Sequence, residues 1–182
     1  MMKMKKCLIV IVFYIAILTL YGCNYYGKIS QLHGKKITFD FIDDTILSDT
    51  VVYEKISRPI KIVVYVDSSF CTPCLSKYFV GASQYISKFG SDSILYLIIL
   101  NSNNNEELPT LLNANVLPNL LILNDISGDF INSNSLGELW DQFNAFLVDK
   151  DNKIILIGDP LRNIKIRELY EKKINQLLGD LF

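Results

Sequence analysis

This chain of 182 residues has a single histidine and no excess of basic over acidic residues. His33 is the only histidine, and it lies in a short polar stretch near the amino terminus. A zinc site needs about four ligands, so no metal is predicted, and no other cofactor motif is present. Lysine and arginine number 18 against 19 acidic residues, with no basic stripe. That balance argues against a nucleic-acid partner.

The prominent apolar run near the amino terminus is too short to span a bilayer. It extends from Leu8 to Leu20, 13 residues, whereas a membrane-spanning helix needs roughly 20. Lys3, Lys5 and Lys6 precede it. A positive segment followed by a short apolar one is typical of a secretory signal, so we expect export from the cytoplasm.

The end of this segment, Leu20-Tyr21-Gly22-Cys23, resembles the lipobox of bacterial lipoproteins, although Tyr21 is bulkier than the usual second residue. The resemblance implies that residues 1–22 are a signal peptide and that Cys23 carries a diacylglyceryl group. Two or three acyl chains, at about 0.8 kcal/mol per buried methylene, anchor a protein stably to a membrane. The alternative is an uncleaved anchor helix. Both place the domain in the bacterial cell envelope, in the periplasm or at the cell surface.

The same reasoning isolates one pair of cysteines. The sequence has four, of which Cys7 leaves with the signal and Cys23 is consumed by lipid. Cys71 and Cys74 then remain, spaced C-x-x-C, in a compartment that permits disulfides. They can pair with each other or with another molecule.

The rest of the chain indicates one α/β domain at residues 35–182, joined to the lipid by a tether at 23–34. Ile60–Val66 and Ile94–Leu100 are almost wholly apolar and predict strands buried on both faces. Apolar residues at helical spacing lie between them and stop at Gly90. Such a strand–helix–strand run is typical of a right-handed βαβ unit.

Other elements follow from shorter patterns. We expect strands at 35–41, 51–53 and 120–123, a short helix at 106–113, and irregular chain at 124–142. The turn residues 149–152 predict a hairpin between strands at 145–148 and 153–157. An amphipathic helix is expected from Ile164 to Leu178.

The motif Cys71-Thr72-Pro73-Cys74 lies where the first buried strand hands over to the helix. A thiolate at a helix amino terminus is stabilised by unpaired N–H groups and the positive end of the helix dipole. Cys71 is therefore the predicted attacking thiolate and Cys74 the resolving thiol. Pro73 restrains the loop, since it fixes φ and donates no N–H. The pair can exchange two electrons with a substrate disulfide through a mixed disulfide.

In this context the sequence resembles the thioredoxin-like superfamily, in particular its lipid-anchored or periplasmic branch related to TlpA, ResA and alkyl-hydroperoxide-reductase/thiol-antioxidant domains. The resemblance rests on the strand and C-x-x-C motif at 60–74 and on the hairpin at 146–153. It implies a central mixed β-sheet flanked by helices, and a thiol–disulfide oxidoreductase. Phe70 and Thr72, with Pro73, would then form the surface on which the substrate docks.

The sequence departs from that family in two places. Family members have a cis-proline before the hairpin strand, where Phe143 stands here; Pro118, before Leu120, offers a second register. They also bury an acid on the strand before the motif, where this chain has Tyr65, with Asp67 nearby. These departures favour an alternative, a binding or structural lipoprotein with a fixed Cys71–Cys74 disulfide. The expected partners are the membrane, protein thiols or disulfides, and an exported or membrane electron donor.

Overall fold

The computed structural model describes residues 27–42, 50–66, 72–90, 92–101, 118–137 and 144–181. The helices are α1 (27–32), α2 (Thr50–Ile56), α3 (Thr72–Ser87), α4 (Asp129–Ser133) and α5 (Ile164–Gly179). The strands are β1 (Ile60–Val66), β2 (Ile94–Leu100), β3 (Leu120–Asn124), β4 (Ala145–Val148) and β5 (Ile154–Ile157). No helix in these ranges is long and apolar enough to cross a membrane.

The strands form one mixed sheet in the order β3-β2-β1-β4-β5. β1 is parallel to β2, and β2 is parallel to β3. On its other side β1 is antiparallel to β4, which forms the hairpin with β5. This confirms the expected α/β class and the central mixed sheet flanked by helices. A βαβ unit followed by a hairpin and a final helix is also the arrangement that the thioredoxin-like resemblance implies.

Every residue of β1 and β2 is buried, because the sheet is covered on both faces. Ile60, Ile62, Val64 and Val66 of β1 face a core built with α3 and α5. The alternate residues of β1 face a second core that contains Leu32, Phe130 and residues of the 37–42 segment. Alternation along a strand explains this division, since successive side chains point to opposite faces.

The expected strand at 51–53 was wrong, because these residues lie in helix α2. Val51 and Tyr53 are more than half exposed, whereas Val52 and Ile56 pack against the second core. Residues four apart share one face of a helix, so a helix brings both apolar side chains against this core. Tertiary packing here overrides the strand preference of two consecutive valines.

The amino-terminal part of the fold also differs from expectation. Residues 27–32, within the expected tether, are helical, and Leu32 is fully buried in the second core. The expected strand at 35–41 is reduced to one bridge, Lys36 to Lys153. Helix α4 forms within a segment expected to be irregular. The expected strand at 120–123, the hairpin and the terminal helix are confirmed, whereas the predicted helix at 106–113 lies outside the described residues.

Candidate functional site

Three strand ends meet at one edge of the sheet. Val66 and Leu100 are paired at the carboxyl ends of β1 and β2, and the N–H of Asn101 donates to the carbonyl of Val66 at 2.8 Å. At the start of β4, the carbonyl of Asn144 accepts from the N–H of Tyr65 at 3.1 Å. The chain leaves β1 at this edge and enters α3 at Thr72. The predicted redox motif therefore follows the sheet edge directly.

Cys74 lies in the first turn of α3, where its side chain is exposed and disulfide-bonded. Thr72 and Pro73 are the first two residues of the helix. A proline is tolerated in this turn because the N–H groups there have no partner within the helix. The first turn contains no acidic residue, so no carboxylate there opposes a thiolate at the helix terminus. Phe70 and Cys71 lie outside the described residues, as does Cys23.

Tyr65 occupies the strand position where the family would place a buried acid. Its ring is buried on the face opposite α3 and stacks on Phe130, with ring centroids 6.0 Å apart. Its hydroxyl accepts a hydrogen bond from Asn101 Nδ2 at 2.8 Å. At this position β1 thus supplies a neutral phenol to the second core. Asp67, the other acid considered from the sequence, lies outside the described residues.

A buried carboxylate nevertheless approaches α3, from the far end of the hairpin. Asp159 is 8% exposed and accepts a hydrogen bond from the hydroxyl of Tyr78 at 3.0 Å. Tyr78 follows Cys74 by four residues, so the two side chains lie on one face of the helix. The hydroxyl of Tyr96 lies 3.0 Å from that of Tyr78. Since Tyr78 gives its proton to Asp159, Tyr96 donates to Tyr78.

Asp159 is held in place from two further directions. Its Oδ1 accepts from the N–H of Leu161 at 2.8 Å, and its Oδ2 lies 3.3 Å from Arg162 Nε. Burial raises the pKa of both Tyr78 and Tyr96 well above the ordinary value, and the Asp159 charge raises them further. Both phenols therefore stay protonated and act as donors. The result is a hydrogen-bond chain from Tyr96 of β2 through Tyr78 of α3 to Asp159, in the segment after β5.

Sequence reasoning missed this network. Asp159 lies between Gly158 and Pro160, a context that reads as the end of a hairpin. Tyr78 fits the apolar face of the helix, so neither side chain stands out as a functional residue. The one available signal was an acid between a glycine and a proline, directly after the second strand of the predicted hairpin.

Of the two candidate positions for the family's proline, the structure describes only Pro118. β3 runs parallel to β1, so it begins at the edge of the sheet where β1 also begins. Pro118, two residues before β3, therefore lies at the edge opposite the end of β1. β4 is antiparallel to β1, so Asn144, directly before β4, lies at the edge where β1 ends. Phe143 lies outside the described residues.

Cys74 also lines an open groove of about 530 Å³ between α3 and the segment around the start of α5. The remaining walls are formed mainly by tyrosines and by basic side chains. Within the described ranges, no group of three or more His, Cys, Asp or Glu residues could hold a metal ion. The arrangement thus offers thiol chemistry at Cys74, next to a cationic surface.

The chain is similar to several solved structures. The chain is similar to the thioredoxin domain of a thiol-disulfide oxidoreductase from Bacteroides vulgatus, at 15% identity, over 64% of this chain and 79% of that chain, with a TM-score of 0.45. It is similar to StoA from Bacillus subtilis at 18% identity, over 56% and 73%, with a TM-score of 0.40. A thiol:disulfide interchange protein from Bacteroides sp. has 14% identity, over 58% and 67%, with a TM-score of 0.41. No family model and no curated protein matches the chain.

Proposed function

We propose that this chain is an extracytoplasmic thiol–disulfide oxidoreductase whose redox pair is Cys71 and Cys74. The observation that supports this most directly is the position of Cys74. It is exposed, disulfide-bonded, and in the first turn of a helix that follows a buried strand. A disulfide between cysteines three apart closes a very small loop and adds little to stability through chain entropy, which favours a chemical use.

The reaction would proceed by thiol–disulfide exchange. In the reduced protein, the Cys71 thiolate attacks one sulfur of a substrate disulfide, and the other substrate sulfur leaves as a thiolate. Cys74 then attacks the mixed disulfide, forming the Cys71–Cys74 bond and releasing the second substrate thiol. Two electrons pass to the substrate, and the pair ends oxidised. Pro73, with Phe70 and Thr72, would shape the surface that the substrate disulfide meets.

We place the protein at the outer side of a bacterial membrane, anchored by lipid on Cys23. Support comes from the positive segment, the short apolar run and the lipobox-like Leu20-Tyr21-Gly22-Cys23. An anchored domain in that compartment has no access to cytoplasmic reductants. Its turnover would therefore require an exported or membrane-bound electron donor. Globomycin-sensitive processing and incorporation of labelled palmitate, both absent from a Cys23→Ala variant, would test the anchor.

Detergent-purified full-length protein provides the test of redox activity. We expect reduction of insulin disulfides in the presence of dithiothreitol. A Cys74→Ser variant should accumulate mixed disulfides through Cys71, since the resolving thiol is gone, while a Cys71→Ser variant should trap none. Failure of the Cys74→Ser variant to trap any protein, together with no insulin reduction, would contradict the proposal.

The second candidate is a binding or structural lipoprotein whose Cys71–Cys74 disulfide stays fixed. The observation in its favour is Tyr65, which places a neutral side chain where a proton-relaying acid would be expected. A reduction potential separates the two functions. Structural disulfides have potentials below about −300 mV, whereas exchanging pairs are more oxidising.

A further inference from the structure

The groove beside Cys74 carries an excess of positive charge. Lys77 and Lys88 of α3 line it on one side, and Arg162 and Arg167 line it on the other. Two of these cations form ion pairs: Arg162 Nε lies 3.3 Å from Asp159, and Lys88 Nζ lies 3.6 Å from Glu171. Within the part of the chain that the structure describes, Lys77 and Arg167 form no ion pair, so the groove carries two net positive charges in a chain whose overall charge is −1.

The placement of the cations follows the helix away from the disulfide. Lys77 lies one turn from Cys74, and Lys88 lies just beyond the end of α3. At about 1.5 Å per residue, Cys74 and Lys88 are roughly 21 Å apart along the helix axis. An extended peptide of about six residues covers that distance. The groove therefore has the length of a short peptide segment that begins at the disulfide.

We propose that this groove binds an acidic segment of the partner polypeptide, next to the cysteine that exchanges with the Cys71–Cys74 pair. The inference rests on the proposed redox function and adds a substrate class to it. Lys77 and Lys88 attract the acidic side chains of that segment. Arg167, whose guanidinium donates to the carbonyls of Pro160 and Leu161, keeps its positive charge fixed at the groove wall.

The test uses reduced full-length protein in detergent and three peptides, each carrying one cysteine as its thiopyridyl mixed disulfide. The cysteine is flanked by glutamates, lysines or serines, and neutral 2,2′-dithiodipyridine serves as the common reference. In low salt we expect the glutamate peptide to exchange about tenfold faster than the lysine peptide. Because the attacking thiolate is itself negative, simple repulsion predicts the opposite order. In 0.5 M salt the ratio should approach one, since screening acts over about 10 Å already at 0.1 M.

Charge-reversal variants show whether the groove lysines cause the preference for the glutamate peptide. Each peptide rate is divided by the same variant's rate with dithiodipyridine, so that changes in intrinsic thiol reactivity cancel. The double variant Lys77→Glu, Lys88→Glu should lose or invert the preference. The matched control, Lys165→Glu with Lys172→Glu, changes the net charge equally on exposed positions of α5 outside the groove and should keep it.

The outcomes distinguish this inference from the proposed function. If neither dithiodipyridine nor any peptide exchanges, the redox function itself fails. If dithiodipyridine exchanges but all three peptides react equally, the redox function stands and the acidic-segment inference is overturned. It is also overturned if the peptides show no preference while the lysine pair is required for binding to phosphatidylglycerol vesicles. The groove would then contact lipid headgroups.

Discussion

Lys61 is a buried lysine in the middle of the sheet, and its ionisation predicts how stability depends on pH. It belongs to β1, is 3% exposed, and faces the second core. Its ammonium group donates to Asn152 Oδ1 at 2.9 Å and lies 5.9 Å from the centre of the Phe39 ring. Burial lowers the pKa of Lys61 from 10.5 to about 8, although the nearby Asp149 carboxylate acts in the opposite direction.

The sign of the effect follows from proton binding. Between about pH 8 and pH 10.5 the unfolded chain keeps a proton on Lys61 that the folded protein has lost. Stability therefore rises with pH across this window. The difference between the two pKa values corresponds to about 3 kcal/mol in total. About 2.5 kcal/mol of it should appear between pH 7 and pH 10.

The measurement is the free energy of unfolding by urea at pH 7, 8, 9 and 10, on the wild-type protein and on Lys61→Met. Methionine has a similar length and no charge, so the wild type should gain about 2.5 kcal/mol relative to the variant over this range. The series stops at pH 10 because Tyr78, Tyr85, Tyr96 and Tyr170 have raised pKa values. Such groups lower stability once the unfolded phenols ionise. A difference between the two proteins that stays constant from pH 7 to pH 10 would refute the reasoning.

Two helix-capping side chains give further predictions, both read from urea unfolding. The Asp125 carboxylate is buried and accepts from the N–H groups of Asp129 and Phe130 at 2.9 Å each, so Asp125→Ala should cost about 2–3 kcal/mol; a loss below 0.5 kcal/mol would contradict the cap. Asn163 is the exposed N-cap of α5 and accepts from the N–H groups of Lys165 and Ile166, so Asn163→Ala should cost about 1 kcal/mol. Asn163→Asp, which keeps the acceptor, should restore most of that stability.

The elements that the sequence predicted well are those whose pattern is local. β1 and β2 each contain seven consecutive buried residues, which only a strand covered on both faces provides. The hairpin turn was equally readable. Asp149 Oδ1 accepts from the N–H groups of Asp151 and Lys153, and Asn152 adopts a φ of 60° that asparagine tolerates. Cys74 belongs to this class as well, because its spacing from Cys71 and its place before a helix are both local features.

The features that escaped prediction depend on contacts between distant parts of the chain. α2 resembles a strand in isolation, yet its Lys55 is buried and donates to the carbonyl of Leu120, 65 residues away. That hydrogen bond gives the buried Lys55 ammonium group a partner. The partner lies in β3, so the residues around Lys55 in the sequence do not reveal it. Leu32 likewise becomes a core residue only because the 37–42 segment and α4 come together around it. The sequence around Lys55 and Leu32 therefore does not reveal which residues they contact.

The largest difference between the sequence expectation and the structure concerns the source of the acid near the motif. On β1 the corresponding residue is Tyr65, whose side chain points away from α3 into the second core. The buried acid on the α3 side is Asp159, which lies 81 residues beyond the tyrosine that contacts it. Tyr78 connects it to the same face of α3 as Cys74, and Arg162 balances its charge. Two hydrogen-bond donors, the Tyr78 hydroxyl and the Leu161 N–H, and one cation, Arg162, surround its carboxylate, which is what a buried carboxylate requires. β1 carries no acid, yet a buried carboxylate still lies beside the helix that carries Cys74.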